Sequence, residues 1–380
     1  MKWCSKCVLP STRPELTIGD DGVCSACKMH EEEKQVDWMN RQREWADLVT
    51  WAKLQNKPYD CLLPVSGGKD SAAQAVCCLN AGLHPLAVTW KSPRRTPLGT
   101  CNLDVIRELG MDHIDLSINP KVERIMYRKS FEQLGSDAVL HLAVYANVPK
   151  IAYLFDIPLV LWSENSAVTY SGSEETADLR GPNVTNEWVM RLGSTQGRKA
   201  EDYLGDGITE RDLYAYWLPT DEQLASKNIK QIFIGHYFNW SGYENYQIAK
   251  QYGFKAADEP LVGWYNFCDL DCPFIVAHHA GKLWKYGFSR VSDNLSLEIR
   301  EGRMTREQAL VELRKNPGYI HQESLQLLCE FVERPVQWFY DTMEKFRNLD
   351  IWEKHPDGYW WIPNYVIPDL DWNGVGQAKW

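Results

Sequence analysis

The stretch Val65-Ser66-Gly67-Gly68-Lys69-Asp70-Ser71 constrains this chain more than any other, because of what flanks it. Before it, Cys61-Leu62-Leu63-Pro64-Val65 reads as a buried strand; after it, the run from Ser71 to Leu79 reads as a small-residue helix packed close on a sheet. The loop therefore joins strand to helix. Two glycines let the backbone turn sharply and approach an anion with no Cβ in the way. The helix N-terminus adds unpaired N–H groups and the positive end of a dipole. This is a phosphate site. It is not a Walker A loop, whose first glycine would fall at Leu63. The plainer reading, a Gly-Gly turn before a helix, leaves the residues from Ser66 to Ser71 without a shared reason.

A chain of 380 residues, 44% hydrophobic, can bury a large core and is expected to form a main domain with appendages. The 51 acidic against 41 basic residues, a net charge of −10, argue against a dominant nucleic-acid surface. With no run of about eighteen apolar residues and no apolar leader segment at the start, no membrane span and a cytoplasmic location are expected. Large aromatics are abundant, with 17 Trp and 18 Tyr, but they serve cores, interfaces and sugar-stacking surfaces alike.

Cys4-Ser5-Lys6-Cys7 and Cys24-Ser25-Ala26-Cys27 form two C-x2-C pairs, and with 11 cysteines in all they fit metal binding in a reducing compartment better than disulfides. Each pair offers two sulfurs from one tight turn, and Gly19-Asp20-Asp21-Gly22 lets the chain double back. Cys4, Cys7, Cys24 and Cys27 are thus expected to hold a structural Zn²⁺, since a four-thiolate set leaves no open position for catalysis. Such a ribbon is too small to fold without its metal, and it is expected to dock a partner or a substrate lid.

Strand-like runs at 86–90, 113–116, 158–162 and 231–235 alternate with helical patterns at 98–109 and 120–156, the latter expected to break near Gly135 and Pro149. This predicts an α/β fold: a doubly wound parallel sheet with an N-terminal zinc ribbon and a mainly helical C-terminal region. The expected domains are a ribbon over 1–30, a connecting helix over 31–58, the sheet domain over 59–290 and a helical region over 291–380 ending in a Trp-rich tail. Within the sheet domain, about 169–221 is rich in Gly, Ser, Thr, Asn and acidic residues and reads as a lid-like insertion or a disordered surface loop.

Ligands of such sheets sit beyond the strands' carboxyl ends. Glu164 and Asn165, then Tyr170, follow the fourth strand as candidate substrate ligands; a helix cap and turn is the plainer reading. His236 follows the fifth as a candidate proton shuttle or substrate contact, although a hydrogen-bonded core histidine fits as well. Cys268 and Cys272 with His278 and His279 make a weak second metal motif. The run from Lys282 to Asp293, containing Lys285 and Arg290, suits phosphate contact or charge stabilisation, or else an exposed ion-paired helix.

Ser-Gly-Gly-x-Asp-Ser loops belong to the adenylating ATP pyrophosphatases. With the zinc knuckle and the stretches SENSAVTYSG, IGHYFNWSGYENYQIAKQYGF and KYGFSRVSDNLSLEIREGRMTREQA, almost the whole chain resembles the bacterial N-acetyl sugar amidotransferases. Family members usually carry Gly where this chain has Ser163, and an aromatic where it has His236, which bears on substrate identity more than on reaction type. The resemblance implies transfer of AMP from ATP to the acetamido oxygen of a nucleotide-activated N-acetyl sugar. Ammonia then displaces AMP to leave an acetamidino group, in surface polysaccharide or glycan biosynthesis. Ser66, Gly67, Gly68, Lys69, Asp70 and Ser71 would cradle the departing pyrophosphate, with Asp70 holding Mg²⁺. Lys285 and Arg290 would support the α-phosphate or sugar nucleotide, and Glu164, Asn165, Tyr170, His236 and Asp293 would contact substrate. No cysteine is placed like a glutaminase nucleophile, so the resemblance implies ammonia from a separate glutaminase subunit paired with a cyclase-like barrel subunit. A tRNA-thiolating enzyme of the same superfamily and a non-catalytic nucleotide-binding protein are the competing readings.

Overall fold

The computed structural model describes residues 1–379. After a short N-terminal ribbon, α1 (Ser25–Glu33) and α2 (Trp38–Leu54) lead into β1 (Cys61–Pro64) and α3 (Lys69–Asn80). Next come β2 (Pro85–Trp90), α4 (Pro97–Glu108), β3 (Asp112–Leu116), α5 (Pro120–Leu134) and α6 (Ala138–Phe155). Then follow β4 (Leu159–Trp162), α7 (Asn186–Leu192), α8 (Asp221–Ser226), β5 (Lys230–Phe233) and α9 (Gly242–Gln251). The chain continues through α10 (Ile275–Tyr286), α11 (Arg290–Arg300), α12 (Arg306–Lys315), α13 (Gln322–Phe331) and α14 (Val336–Glu344).

The five strands pair in parallel in the order β3-β2-β1-β4-β5. Alternate residues of each strand face opposite sides, so the sheet has two cores. Cys61, Leu63 and Leu161 pack under α2, α3, α4 and α9, while Leu62, Val160, Trp162 and Phe233 pack under α6, α7 and α8. Both faces are covered, as the doubly wound expectation requires.

The helix expected over 120–156 breaks at Gly135, which ends α5 at φ +59°, a left-handed cap that glycine adopts without strain. It does not break at Pro149, which lies inside α6. Val148, Ile151 and Ala152 around it are buried against the sheet, and this packing offsets the roughly 3 kcal/mol cost of an interior proline. Among the described residues, α6 is also the one helix long and apolar enough to cross a membrane, but 56% of it is buried inside the protein as a core helix. Within the connecting segment expected over 31–58 the helix is α2, capped by Asp37; α1 starts in the ribbon and reaches only Glu33.

Residues 169–221 are packed into the body rather than forming a disordered loop, and several of those between Thr169 and Gln196 line two large cavities. Leu179, Val184, Trp188 and Val189 fill the sheet's second core, and Asn183 bridges to Ile232 at the sheet edge. Farther on, Tyr203, Leu213 and Tyr216 enter a third core built from α5, α10, α11, α13, α14 and the C-terminal tail. A boundary at 290/291 therefore cuts through one hydrophobic cluster. In the tail, Trp352 and Trp372 are buried in that cluster and Trp360 and Trp361 pack against it; Trp380 lies outside the described residues.

Glu123 of α5 is 3% exposed, and one of its carboxyl oxygens has no hydrogen-bond partner. Burial pushes its pKa from 4.5 to about 8. A raised acid pKa stabilises the fold fully below the unfolded value and loses that contribution as pH climbs towards the folded one. Denaturant melts should therefore show Glu123→Gln more stable than the parent at pH 8, with the difference vanishing towards pH 4.5.

Candidate functional site

The strand order reverses direction between β1 and β4, since β2 and β3 extend to one side and β5 to the other. At such a switch point the two departing loops separate and leave a crevice at the carboxyl ends. Here those loops carry Ser66–Ser71 and Ser163–Asn165. They are tied together by Gln74 of α3, whose side chain donates to the Leu161 carbonyl and accepts from the Ser163 hydroxyl at 2.8 Å. Ser163 thus serves the scaffold through a hydroxyl that a glycine would lack.

Within the first loop, Gly67 sits at φ +85°, and a Cβ there would lie 2.9 Å from the Leu103 backbone nitrogen and 3.0 Å from the Gly99 carbonyl. Both conformation and space demand glycine. Ser66 and Ser71 hydroxyls accept the N–H groups of Gly68 (3.2 Å) and Ser66 (3.0 Å); Ser66 lines the crevice, whereas Ser71, 6% exposed, lines none of the cavities and braces the loop from behind. Lys69 and Asp70 open α3; Nζ of Lys69 lies 2.6 Å from Asp70 Oδ2, and Asn245 of α9 donates to Asp70 Oδ1 at 2.8 Å. Burial works against the Lys69 charge, but Asp70, Cys268 and Glu164 outweigh it and hold the pKa above the usual lysine value. The ammonium is a fixed positive charge.

Three cavities meet here. The smallest, about 180 Å³, is lined by the glycine loop, Cys268–Asp271 and Arg290. One of about 470 Å³ adds Glu164, Tyr170, Trp240, Tyr243 and Arg303 to Lys69 and Asp70. The third, about 460 Å³, shares Glu164 and Tyr170 and extends to Arg13, Lys282 and Lys285. Arg290 lines all three. It starts α11 and pairs with Asp269 at 3.2 Å, a residue itself held at φ +58°. Burial opposes the Asp269 charge, but Arg290 and His279 keep its carboxyl well below the usual range.

Not every expected residue faces this cleft. Glu164 does, accepting from Thr169 Oγ1 at 3.4 Å, and burial followed by Asp70 raises its pKa. Tyr170 lies under the Arg13 guanidinium at 5.1 Å. Asp293, fully buried, binds Lys282 (3.0 Å) and Arg13 (3.1 Å) in the wall of the third cavity, and Lys285 in that wall donates to Leu134 O and Gln196 Oε1, both at 2.9 Å. Asn165 cannot contact substrate as expected. Its amide donates to the Leu179 and Gly181 carbonyls and accepts from Ala167 N–H and Trp188 Nε1, so every capacity goes to holding the following segment. His236 is also displaced from its expected place: it lines none of these cavities and sits against Arg41 and Glu44 of α2. Arg13 has no signal in the sequence, while Trp240, Tyr243 and Asn245 lie in the aromatic stretch after the fifth strand without a role of their own; Tyr243 and Asn245 both come from α9.

The four ribbon cysteines are buried with their sulfurs within 4.8 Å of one another. Cys4 Sγ accepts backbone N–H groups of Lys6 (3.4 Å), Cys7 (3.4 Å) and Cys24 (3.3 Å), the arrangement that stabilises a thiolate. Burial disfavours the nearby Arg300 charge, yet Cys7, Cys27 and Cys24 more than offset this, so a guanidinium is on hand to balance the dianionic set Zn²⁺ would form with the four thiolates. The donor set fits zinc. The ribbon packs on the site itself: Ser25 Oγ donates to the Ser171 carbonyl, and Ala26, His30 and Glu33 line the 470 Å³ cavity.

Gly67→Ala should lose about 1–3 kcal/mol of stability through backbone strain and abolish nucleotide binding measured calorimetrically. Gly68→Ala, at φ −74° and with Ser66 Oγ 3.2 Å away as the nearest atom, should fold normally. Chelator treatment should free the four ribbon thiols to a thiol reagent and lower the melting temperature, with zinc restoring both.

Residues 237–365 match the family described as LPS biosynthesis protein WbpG-like, C-terminal domain. No curated protein matches the chain. Among solved structures, the NMN synthetase from Francisella tularensis is similar at 18% identity and a TM-score of 0.26, over 59% of this chain and 99% of that one. The matched C-terminal stretch supplies Tyr243, Cys268, Asp269 and Arg290 to the same cleft as the glycine loop. The glycine loop at the switch point and the WbpG-like C-terminal domain, residues 237–365, thus face each other across one cleft.

Proposed function

We propose that this protein is an ATP-dependent amidotransferase acting on a nucleotide-activated N-acetyl sugar in surface polysaccharide biosynthesis. One observation carries the reading: the phosphate loop and Arg290 of the WbpG-like domain enclose one cleft that continues into a second cavity large enough for another substrate. ATP occupies the loop side, with its β and γ phosphates against the 66–71 backbone and its base towards Trp240 and Tyr243. The sugar nucleotide enters past Lys285, Lys282 and Arg13.

The acetamido oxygen attacks the α-phosphorus and the bond to the β-phosphate oxygen breaks, leaving pyrophosphate in the cradle. Lys69 and Arg290, positive before the reaction, stabilise the charge that develops there without reorganising. Mg²⁺, which the Asp70 carboxylate lining the 180 Å³ and 470 Å³ cavities would hold, would supply further neutralisation of the phosphates when bound. Ammonia then adds to the imidate carbon, the carbon–oxygen bond breaks, AMP leaves, and the lost proton passes to a base. Glu164, at the junction of the two large cavities and with its pKa raised by burial, is the group positioned to take it.

Ammonia comes from a separate glutaminase subunit working with a cyclase-like barrel subunit, and the reaction takes place in the cytoplasm. Burial pushes Cys268 up to about 11 and Cys272 up to about 12, which disfavours the thiolate pair that a tRNA-thiolating enzyme would use there.

Purified protein given ATP, ammonium and a panel of acetamido sugar nucleotides should release AMP and pyrophosphate and give a product lighter by the difference between O and NH. Lys69→Met and Arg290→Met should each reduce kcat/KM by about 10²–10³-fold. ATP cleavage that depends on tRNA and a sulfur donor, with no turnover of any sugar nucleotide, would overturn the reading.

A further inference from the structure

The wall of the 460 Å³ cavity contains a group of side chains that the amidotransfer reaction does not use. Asp137 and His141 are one helical turn apart at the start of α6, and His278 projects from α10 towards them. One donor atom from each lies within 4.8 Å of the other two, and His278 Nδ1 is 2.5 Å from Asp137 Oδ1. Both histidines line the cavity, while Asp137 is 1% exposed behind them.

Asp137 occupies the N-cap position of α6, where an aspartate ordinarily accepts an N–H from its own first turn. Its side chain makes no such bond and turns to His278 instead. Beside it, His279 is 6% exposed and lines the same cavity; its Nε2 faces Asp269 Oδ1 at 3.9 Å, beyond hydrogen-bond distance, and neither ring nitrogen has a hydrogen-bond partner. A buried imidazole with both nitrogens unmatched is costly unless something in the cavity satisfies it. Lys282, whose charge acts on His141, is paired with Asp293 at 3.0 Å, which limits its repulsion of another positive ion.

We propose that Asp137, His141 and His278 bind one divalent transition-metal ion with its remaining coordination positions open to the cavity. Two imidazoles and a carboxylate suit Zn²⁺, Mn²⁺, Fe²⁺ or Co²⁺, and three protein ligands with open positions are the pattern of a metal that engages a substrate or water. The ion would replace the direct contact between Asp137 and His278. At metal–ligand distances of about 2.1 Å the donor atoms must lie roughly 3.0–3.4 Å apart, so the pair needs to open only slightly. This site is distinct from the four-cysteine ribbon in ligand chemistry and location.

Full-length protein reloaded with Zn²⁺ and freed of loose metal, analysed for metal content, should hold one equivalent more than the His141→Ala/His278→Ala variant. The conservative Asp137→Asn variant should bind the extra ion at least tenfold more weakly. Cobalt titration of the unmodified protein gives an independent reading that needs no variant to fold. Thiolate-to-cobalt absorption should saturate at the ribbon, and a further equivalent should give visible d–d bands without thiolate character. Equal metal content in parent and double variant, or no cobalt bands beyond the thiolate set, would overturn the proposal.

Discussion

The ion pair between Arg290 and Asp269 is the contact on which the rest of the site depends. It joins the loop ending in Asp271 to the first residue of α11, and the guanidinium forms part of the wall of all three cavities. Both side chains are largely buried, so removing one partner would strand the other charge, at a cost of about 3–5 kcal/mol. The pair is also asymmetric in use. Asp269 is spent on Arg290 and His279, whereas the arginine keeps donors for a ligand.

A second set of contacts links metal-site chemistry to the cleft. The ribbon's Ser25 holds the Ser171 carbonyl, Ser171 in turn donates to Glu15 O at 2.6 Å, and Arg300 donates to Thr169 O at 2.7 Å. Together they fix residues 167–171, the turn that aims Glu164 and Tyr170. Zinc at the four cysteines would therefore act on catalysis through position alone. This explains why a ribbon without an open coordination site lies against the reaction chamber instead of at the molecule's edge.

Some of this is legible in the amino-acid sequence. The glycine loop could be placed because its neighbours have opposite periodicities and its residue types have few other uses, and the cysteine spacing was as informative. Asn165 and His236 show where such reading fails. Each follows a strand, as ligand-binding residues do, yet Asn165 is consumed by four local hydrogen bonds and His236 is turned towards α2. Position along a strand is visible in a sequence; the direction of a side chain and the number of partners it already has are not. The same holds for 169–221, whose polar composition concealed the four apolar side chains that complete the sheet's second core.

By itself, the sequence determined the phosphate loop, the four-thiolate set and the alternation that yields a parallel sheet, because each is a local pattern of residue type and spacing. Only the tertiary structure decided that β4 lies beside β1, that Arg290 closes the pocket opened by Gly67 some two hundred residues earlier, and that Asp137, His141 and His278 share one wall. These are contacts between segments far apart in the chain, and their geometry is set by how the helices pack on the sheet, which no short stretch encodes.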